Sequence, residues 1–326
     1  MKKLIFPFIL LIAISAELQT VAGRRCGNRQ ISRVIGGYNA ARWPWQAELL
    51  KKSKDGSFRH LCGASLINDQ WVVTATHCLF ANPSPQMYKV KLGEYDRYLP
   101  EPSEQVFDVT AVRLHQDFLT NKEYGYDIAV VKLSRKVNMT GSVRPICLPP
   151  PHQRIAVGTM CYLTGWGRTS YASGSARILQ EVQLPIVSFA DCLRGNGHLH
   201  FVDNYTMVCA GFGGNSIVSG CNGDSGGPLV CNEGGRWTLR GVVSWGDHKC
   251  AAGTTYSVFA RVSSFVHWIM NKMMSPTPVF YACQDSHWYC AQWVKKNVCF
   301  SYYYKNILKK YCPVSCGYCN SSVITR

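Results

Sequence analysis

Sixteen cysteines constrain this 326-residue chain more than any other feature of its sequence. Their even number and high density indicate an oxidising compartment and a disulfide framework, because thiols stay reduced inside most cells. The last six fall between Cys283 and Cys319, a segment too short to build a stable core without covalent cross-links. The sequence therefore predicts a larger fold that ends near Met274, followed by a small disulfide-held module.

The N-terminal residues have the features of a secretory signal. Lys2 and Lys3 precede an apolar run from Leu4 to Ala16, which is too short for a membrane span. We expect cleavage between residues 16 and 23, so that residues 1–23 form the signal peptide. No later stretch holds about eighteen uninterrupted apolar residues. The sequence thus predicts a secreted, extracellular protein without a membrane span.

Three segments match the acceptor pattern for N-linked glycans, and they begin at Asn138, Asn204 and Asn320. In a secreted protein this pattern predicts surface loops.

The net charge of +16 favours contact with acidic surfaces such as nucleic acid, anionic glycans or lipid headgroups. However, no run of Lys and Arg is longer than two residues, and no recognised nucleic-acid motif is present. We interpret the charge as a source of solubility and of loose attraction to polyanions, and we expect no nucleic-acid partner.

Short apolar segments separated by Gly, Pro or Asn clusters fill the chain between Gln46 and Val258, and this pattern is typical of an all-β fold. Examples are Gln105–Leu114, Asp127–Leu133, Leu179–Val187 and Leu239–Trp245. Such strands over more than two hundred residues suit a sandwich or barrels.

The alternation ends at Val262–Met274, where apolar residues recur at helical spacing. We expect an amphipathic helix there, packed on the β-structure. Two prolines then follow in Ser275–Pro278, which end a helix and form a stiff linker. A domain boundary is therefore predicted at residues 275–282.

Three motifs occur in the order histidine, aspartate, serine: Thr74–Cys78, Asp127–Val130 and Gly223–Pro228. A serine hydroxyl is a weak nucleophile unless a base takes its proton, and an imidazole oriented by a carboxylate is such a base. His77, Asp127 and Ser225 supply these parts. Glycines beside the serine permit a tight turn in which the amides of Gly223 and Ser225 face one developing oxyanion.

Six ordered motifs make the chain similar to chymotrypsin-fold serine endopeptidases. They are Val34–Gly37, Thr74–Cys78, Asp127–Val130, Gly165–Gly167, Gly223–Pro228 and Ser244–Gly246. The resemblance implies a protease domain at residues 34–274, with two six-stranded antiparallel barrels and the active site in the cleft between them. One departure is Thr76, where the family usually has alanine, and it is expected to alter packing behind the imidazole.

The resemblance also implies a disulfide pattern for the first ten cysteines. The expected pairs are Cys26–Cys147, Cys62–Cys78, Cys161–Cys231, Cys192–Cys209 and Cys221–Cys250.

A zymogen junction is implied at Arg33-Val34, with residues 24–33 as the activation propeptide. Cleavage by a trypsin-like partner would free the amine of Val34 to pair with Asp224, and satisfying that carboxylate would order the oxyanion hole. A bond between Cys26 and Cys147 would keep the propeptide attached.

The primary specificity pocket of this family maps to Ser219 at the base and to Gly246 and Ser257 on the walls. Because the base has no carboxylate, we exclude a preference for Lys or Arg. Medium-to-large apolar residues before the cut are expected instead, as in chymotrypsin-like and some elastase-like enzymes. The backbone of Ser244, Trp245 and Gly246 is expected to pair with protein or peptide substrates as an added strand.

The acidic residues Glu94, Glu101 and Glu104 lie where related proteases bind calcium through oxygen ligands. A structural calcium ion and a solvated acidic loop are both open at this point, and no cofactor is required for catalysis. No zinc pattern is visible in the sequence.

The final six cysteines, with Asp285, Trp293 and the ending Cys312–Cys319, resemble the ShKT domain, named for a sea-anemone potassium-channel toxin. This resemblance implies a module at residues 283–319 followed by a tail at 320–326. The implied pairs are Cys283–Cys319, Cys290–Cys312 and Cys299–Cys316. Toxins of this family block channels with a Lys-Tyr pair, whereas here that register holds Asn306-Ile307 and the order nearby is Tyr304-Lys305.

The sequence therefore predicts a secreted zymogen of a serine endopeptidase with a cysteine-rich appendage. In an adhesion or targeting role, the appendage would use exposed aromatic and basic side chains: Tyr302, Tyr303, Tyr304, Lys295, Lys296, Lys309 and Lys310. The alternative is a binding protein or toxin that acts on an ion channel or surface through the ShKT module.

Overall fold

The computed structural model describes residues 26–29, 42–118, 124–168, 174–213, 223–246 and 255–275, and in the C-terminal segment residues 285, 290–295, 298, 299, 308 and 311–317. Twelve strands lie in the described part: β1 (Gln46–Lys52), β2 (Phe58–Leu66), β3 (Trp71–Thr74), β4 (Tyr88–Leu92), β5 (Gln105–Leu114), β6 (Ala129–Leu133), β7 (Met160–Gly165), β8 (Gln180–Pro185), β9 (Met207–Ala210), β10 (Pro228–Glu233), β11 (Arg236–Trp245) and β12 (Ser257–Arg261). Four α-helices accompany them: α1 (Thr76–Leu79), α2 (Phe189–Asn196), α3 (Val262–Met274) and α4 (Cys290–Lys295), and Pro85–Met87 forms a short 3₁₀ turn.

The first six strands close into an antiparallel barrel in the order β1-β2-β3-β6-β5-β4. Alternating side chains fill its interior, as β5 shows, where Phe107, Val109 and Ala111 are buried while Val106, Asp108 and Thr110 face solvent. This period-two pattern is the one from which the strand was predicted.

The other six strands form an antiparallel sheet in the order β8-β7-β10-β11-β12-β9. An isolated bridge between Ile186 and Ala210 joins its two edges, which curls the sheet toward a second barrel. Helix α3 then packs Phe265, Val266 and Ile269 inward, against β11 and β6. The prediction of an all-β fold with two six-stranded units and a C-terminal helix is confirmed.

Polar contacts join the two units at the cleft between them. Oγ1 of Thr164 on β7 donates to Oε1 of Gln46 on β1 at 2.7 Å. The amide of Gly63 on β2 donates to the carbonyl of Ser225 at 2.8 Å, so the turn before β10 is tied directly to the first barrel.

Six disulfides lie within the described residues: Cys26–Cys147, Cys62–Cys78, Cys161–Cys231, Cys192–Cys209, Cys290–Cys312 and Cys299–Cys316. The expected pairs Cys221–Cys250 and Cys283–Cys319 lie outside the described residues. Within the ranges given above, no helix has both the length and the apolar character that crossing a membrane requires.

Candidate active site

His77 lies on the single-turn helix α1, directly after β3, and it faces the residue that precedes β6. Its Nδ1 is 2.7 Å from Oδ2 of Asp127, and its backbone N–H donates to Oδ1 of the same carboxylate at 2.9 Å. Since β3 and β6 are neighbours in the barrel, these two side chains meet at the end of one strand pair. Burial lowers the pKa of His77, but the Asp127 carboxylate outweighs burial and leaves that pKa raised.

Asp127 is fully buried, so its charge needs hydrogen-bond donors. Besides His77, the hydroxyl of Ser244 donates to Oδ2 at 2.6 Å. Sequence reasoning assigned Ser244 only a backbone role and missed this contact, although its place as the first residue of the Ser-Trp-Gly motif was the available signal. Tyr124 and Tyr126, with φ of 59° and 63°, form the tight turn that leads into Asp127.

Thr76, the residue before His77, contributes a buried hydrogen bond. Its hydroxyl donates to the carbonyl of Ile128 at 2.6 Å, which ties α1 to the segment that carries Asp127. The threonine hydroxyl therefore links the two segments that carry the histidine–aspartate pair.

Ser225 lies in the turn that precedes β10. Gly226 has φ of +74°, and a Cβ there would lie 2.2 Å from Oγ1 of Thr74, so only glycine lets the turn approach β3. The amide of Gly226 donates to the carbonyl of Val243 at 2.9 Å, one residue before Ser244. The turn that carries Ser225 thus lies against β3, which leads to His77, and against the residue before Ser244. Among the described residues, Oγ of Ser225 and Nε2 of His77 do not form a hydrogen bond. The described contact of His77 Nε2 is with Sγ of Cys78, at 3.7 Å.

Asp224 turns its carboxylate toward β7. The amide of Gly167 donates to its Oδ1 at 2.9 Å, and a Cβ at Gly165 would lie 2.1 Å from the same oxygen. These glycines therefore make room for the carboxylate. The proposed activation residues Arg33 and Val34 lie outside the described residues.

The predicted pocket walls lie side by side in the second unit. Trp245 pairs with Val258 across β11 and β12, and a Cβ at Gly246 would lie 3.8 Å from Cα of Ser257. Ser257 is buried. Ser219, the predicted base, lies outside the described residues.

The acidic loop is occupied by the chain's own cations. Nζ of Lys91 lies 2.7 Å from Glu94 and 3.4 Å from Glu104, and Nη2 of Arg42 lies 2.7 Å from Glu101. Burial raises the pKa of Glu94, and Lys91 opposes that shift. The three carboxylates are brought together, but an ammonium group stands between two of them.

Two of the three glycan acceptors are described. The side chain of Asn138 is exposed, and Oδ1 of Asn204 accepts a bond from Arg154 at 2.9 Å. Asn320 lies outside the described residues.

The C-terminal module is held by two described disulfides and by Asp285. The carboxylate of Asp285 accepts the backbone N–H groups of Val314 and Ser315 at 2.9 and 3.1 Å, and Trp293 is buried among the module's cysteines. Lys295 is exposed. The other named aromatic, basic and channel-register residues, at positions 296, 302–307, 309 and 310, lie outside the described residues.

Two joined β-units with a histidine–aspartate pair beside a Gly-Asp-Ser-Gly turn define a two-barrel serine protease. The family model described as Trypsin matches residues 34–269, and the one described as ShK domain-like matches residues 282–319. Chymotrypsin-like elastase family member 3B of Homo sapiens is 43% identical over 255 residues, which cover 76% of this chain and 92% of the relative.

Two further relatives give the same result. Chymotrypsin-like elastase family member 3B of Macaca mulatta is 41% identical over 251 residues, covering 75% of this chain and 95% of the relative. Member 3A of Homo sapiens is 41% identical over 254 residues, covering 75% and 90%. The chain belongs to the trypsin family, as a chymotrypsin-like serine endopeptidase with a C-terminal ShK-like domain.

Proposed function

We propose that Ser225 attacks the scissile carbonyl while His77 takes its proton and Asp127 stabilises the resulting imidazolium. The observation that carries this proposal is the 2.7 Å contact between His77 and the fully buried carboxylate of Asp127, which Ser244 also bonds. The Oγ–Nε2 bond forms when substrate closes the site, since such contacts are often long in free enzymes. His77 then gives the proton to the leaving amine, which leaves the acyl group on Ser225. A water molecule next attacks this acyl group while His77 takes its proton, and His77 returns the proton to Ser225 as the acid is released.

The amides of Gly223 and Ser225 hold the oxyanion that forms during both steps. Support comes from the shape of the turn. Gly223 has φ of +103°, and a Cβ on this residue would lie 2.9 Å from Cα of Gly167, so the turn requires glycine here. Loss of one such donor typically costs about 100- to 1000-fold in rate.

We infer a preference for medium-to-large apolar residues before the cut. Gly246 and Ser257 are small and adjacent, so they leave room for such a side chain. Ser219 offers no carboxylate to a basic residue. The relatives are named elastases, which agrees with an apolar preference.

Activation is proposed to follow cleavage after Arg33 in a secreted precursor, with the protease domain at residues 34–274. The Cys26–Cys147 bond would retain the cleaved propeptide. Contacts of Arg29 support this, because its guanidinium stacks 3.6 Å above the ring of Trp43. Pairing with Asp224 should raise the pKa of the Val34 amine above about 8, so activity is expected to fall as alkaline pH removes its charge.

The acidic loop does not fit a calcium ion in this arrangement. Lys91 already places a positive charge between Glu94 and Glu104, and the carbonyl of Gly93 accepts the hydroxyl of Ser103 at 2.7 Å. We infer that Lys91 neutralises the loop, and no step of the reaction depends on a metal.

The ShK-like domain is proposed to localise the enzyme on a surface. Its only acidic residue, Asp285, is used internally, and the segment from Val279 to Arg326 otherwise carries only basic charges. Channel block is not favoured by any described contact.

The test is to cleave the secreted chain with trypsin and assay peptides that vary at the residue before the cut. We expect apolar residues to be preferred and Lys and Arg to be rejected. Arg33→Gln should prevent activation, and Ser225→Ala should abolish turnover in the cleaved protein. Equal turnover by Ser225→Ala, or cleavage after basic residues, would contradict the proposal.

A further inference from the structure

A cavity of about 160 Å³ lies on the second unit, where the start of helix α2, strand β9 and the end of β12 come together. Most of its wall is apolar: Ile155, Val157, Val187, Phe189, Val202 and Val208. Its described lining includes no residue assigned to catalysis or to the specificity pocket. An apolar cavity of about 150 Å³ holds a benzene ring, so this one has room for a small apolar group.

Two guanidinium groups line the same cavity. Nε and Nη2 of Arg261, the last residue of β12, donate to the carbonyl of Met207 at 3.0 and 2.7 Å. Nη1 of Arg154 donates to Oδ1 of Asn204 at 2.9 Å. Both acceptors are neutral, so these bonds orient the guanidinium groups without neutralising their charge.

The two positive charges disfavour each other. Burial and the charge of Arg154 lower the pKa of Arg261 to about 10, so both groups are still charged at pH 7. Asp203 opposes this shift, but its Oδ1 accepts the N–H of Tyr205 at 2.8 Å. Among the described residues, no carboxylate forms an ion pair with either guanidinium. An anion bound between them would relieve the repulsion.

Arg240, on β11 of the same unit, shows the usual arrangement of a buried guanidinium. Its side chain is 4% exposed, and its Nε and Nη2 both contact the carboxylate of Glu233. Guanidinium groups bind carboxylates through such paired hydrogen bonds. The cavity thus provides two donors of this kind, and the described part of the chain supplies no carboxylate to occupy them.

We propose that this cavity binds a carboxylate carried by a small apolar group, with the carboxylate against Arg154 and Arg261. A mainly apolar cavity with a few polar groups is the usual form of a small-molecule site. Two sources have this chemistry: a short fatty acid, and the C-terminal residue of a peptide that ends in an apolar side chain. The proposed function would release peptides of the second kind, but the binding itself does not depend on that function.

The first test titrates hexanoate into the secreted full chain that carries Arg33→Gln and has its N-glycans trimmed to one sugar. The chain stays uncleaved, and a glycan on Asn204 no longer covers the cavity. Methyl resonances of Ile155 in the cavity and Ile128 in the first barrel report where hexanoate binds. We expect Ile155 alone to shift, with a dissociation constant of about 1 mM or lower. An unshifted Ile155 would overturn the proposal.

The second test measures what the carboxylate contributes. Hexanamide has the same apolar chain without the charge, and N-acetyl-leucine with its amide gives the same comparison for a peptide end. We expect each carboxylate to bind about tenfold more tightly than its amide, because hydrogen bonds to charged groups are the stronger ones. Tighter binding of hexanoate would assign the fatty acid as the source, and tighter binding of N-acetyl-leucine the peptide end. Equal affinities of carboxylates and amides would overturn the proposal.

The third test changes the cavity at two exposed positions, where substitution leaves the fold intact. Arg154→Met should weaken hexanoate binding about tenfold, and Val157→Trp should abolish it by filling the mouth of the cavity. Arg59→Met removes an exposed arginine of the first barrel and should leave the affinity unchanged. An unchanged affinity in Arg154→Met or in Val157→Trp, with the melting temperature of the parent, would overturn the proposal.

Failure of these titrations and failure of the proposed function are separate results. The titrations use the uncleaved chain and follow binding, so their failure leaves the assignment of Ser225 unaffected. If Ser225→Ala retains full turnover, the proposed function fails, and the affinity of the cavity for hexanoate is unaffected.

Discussion

The first barrel holds two histidines that each contact a buried carboxylate, and the two pairs differ in what faces the second ring nitrogen. In His77–Asp127, the Nε2 atom meets a sulfur atom at 3.7 Å, and the side chain is 25% exposed toward the cleft. In His60–Glu48, Nε2 meets the carbonyl of Gly223. The second ring nitrogen thus faces the cleft in the pair that sequence motifs marked, whereas in the other pair it contacts the backbone of the second unit.

A third histidine completes the comparison. The Nδ1 of His115 accepts the backbone N–H of Asp117 at 3.3 Å, and its ring packs against Phe265 and Trp268. Burial, together with the charge of Lys272, lowers the pKa of His115 to about 3. At neutral pH, His115 is therefore neutral.

The largest effect is expected from Asp127→Asn. The variant keeps the shape of the pair but favours the wrong imidazole tautomer, so kcat should fall by about 10⁴-fold, the size established for loss of this carboxylate in triad proteases. The kcat of peptide hydrolysis measures it. In the parent, the raised pKa of His77 should place the acid limb of kcat/KM above pH 6.5, with activity lost as pH falls. A fall in kcat of less than tenfold in Asp127→Asn would contradict the claim that this carboxylate prepares His77 to act as the base.

His115→Phe tests the neutral histidine through stability. Because folding lowers its pKa, the parent should lose stability as pH falls from 6.5, by about 3 kcal/mol at pH 4 at roughly 1.4 kcal/mol per pH unit. The variant should lack this part of the acid dependence. Urea unfolding at pH 7 and pH 4 measures it, with the exposed His198→Phe as control. An equal acid dependence in parent and His115→Phe would show that His115 titrates alike in both states.

Ser244→Ala removes one of the donors to Asp127. We expect kcat to fall about tenfold, because the carboxylate keeps only the two bonds from His77 and loses about 1–3 kcal/mol of hydrogen bonding. The exposed Ser275→Ala should have no effect on kcat. An unchanged kcat in Ser244→Ala would mean that His77 alone orients the carboxylate.

Thr76→Ala should cost about 1 kcal/mol of stability, since the buried carbonyl of Ile128 loses its donor. Thermal unfolding measures this loss, and Thr110→Ala, at an exposed position on β5, serves as control. Equal melting temperatures for the parent and Thr76→Ala would show that the hydroxyl contributes nothing to holding α1 beside Asp127.

The smallest effect is expected from chelation. If Lys91 neutralises Glu94 and Glu104, EDTA should leave the melting temperature unchanged, and added calcium should not raise it. Lys91→Ala should create calcium-dependent stability by exposing the two carboxylates to the ion. A calcium-dependent melting temperature in the parent would show that an ion displaces Lys91.

The periodicity of apolar residues and the order of the motifs predicted several parts of this structure. Strand β5 and helix α3 have the bounds that their apolar spacing predicted, because each buries one face of a regular element. The contact between His77 and Asp127 was expected from the motifs Thr74–Cys78 and Asp127–Val130, which lie at the end of β3 and at the start of β6. These features depend on local pattern or on family resemblance.

The His60–Glu48 pair could not be predicted in this way. Glu48 lies in a strand of buried side chains, and nothing in its local sequence marks a partner. Its contact depends on a one-residue bulge in the β1–β2 register and on the approach of the second unit. The bond from Ser244 to Asp127 likewise joins residues 117 positions apart, at a distance set only by how the two units pack.

The most direct test of the account is covalent labelling of the trypsin-activated protein by an organophosphonate, with the modified residue located by mass spectrometry. We predict stoichiometric modification of Ser225 in the parent and in Glu233→Gln, and none in His77→Ala. Modification of another residue, or undiminished labelling of Ser225 in His77→Ala, would contradict the claim that the His77–Asp127 pair activates this serine.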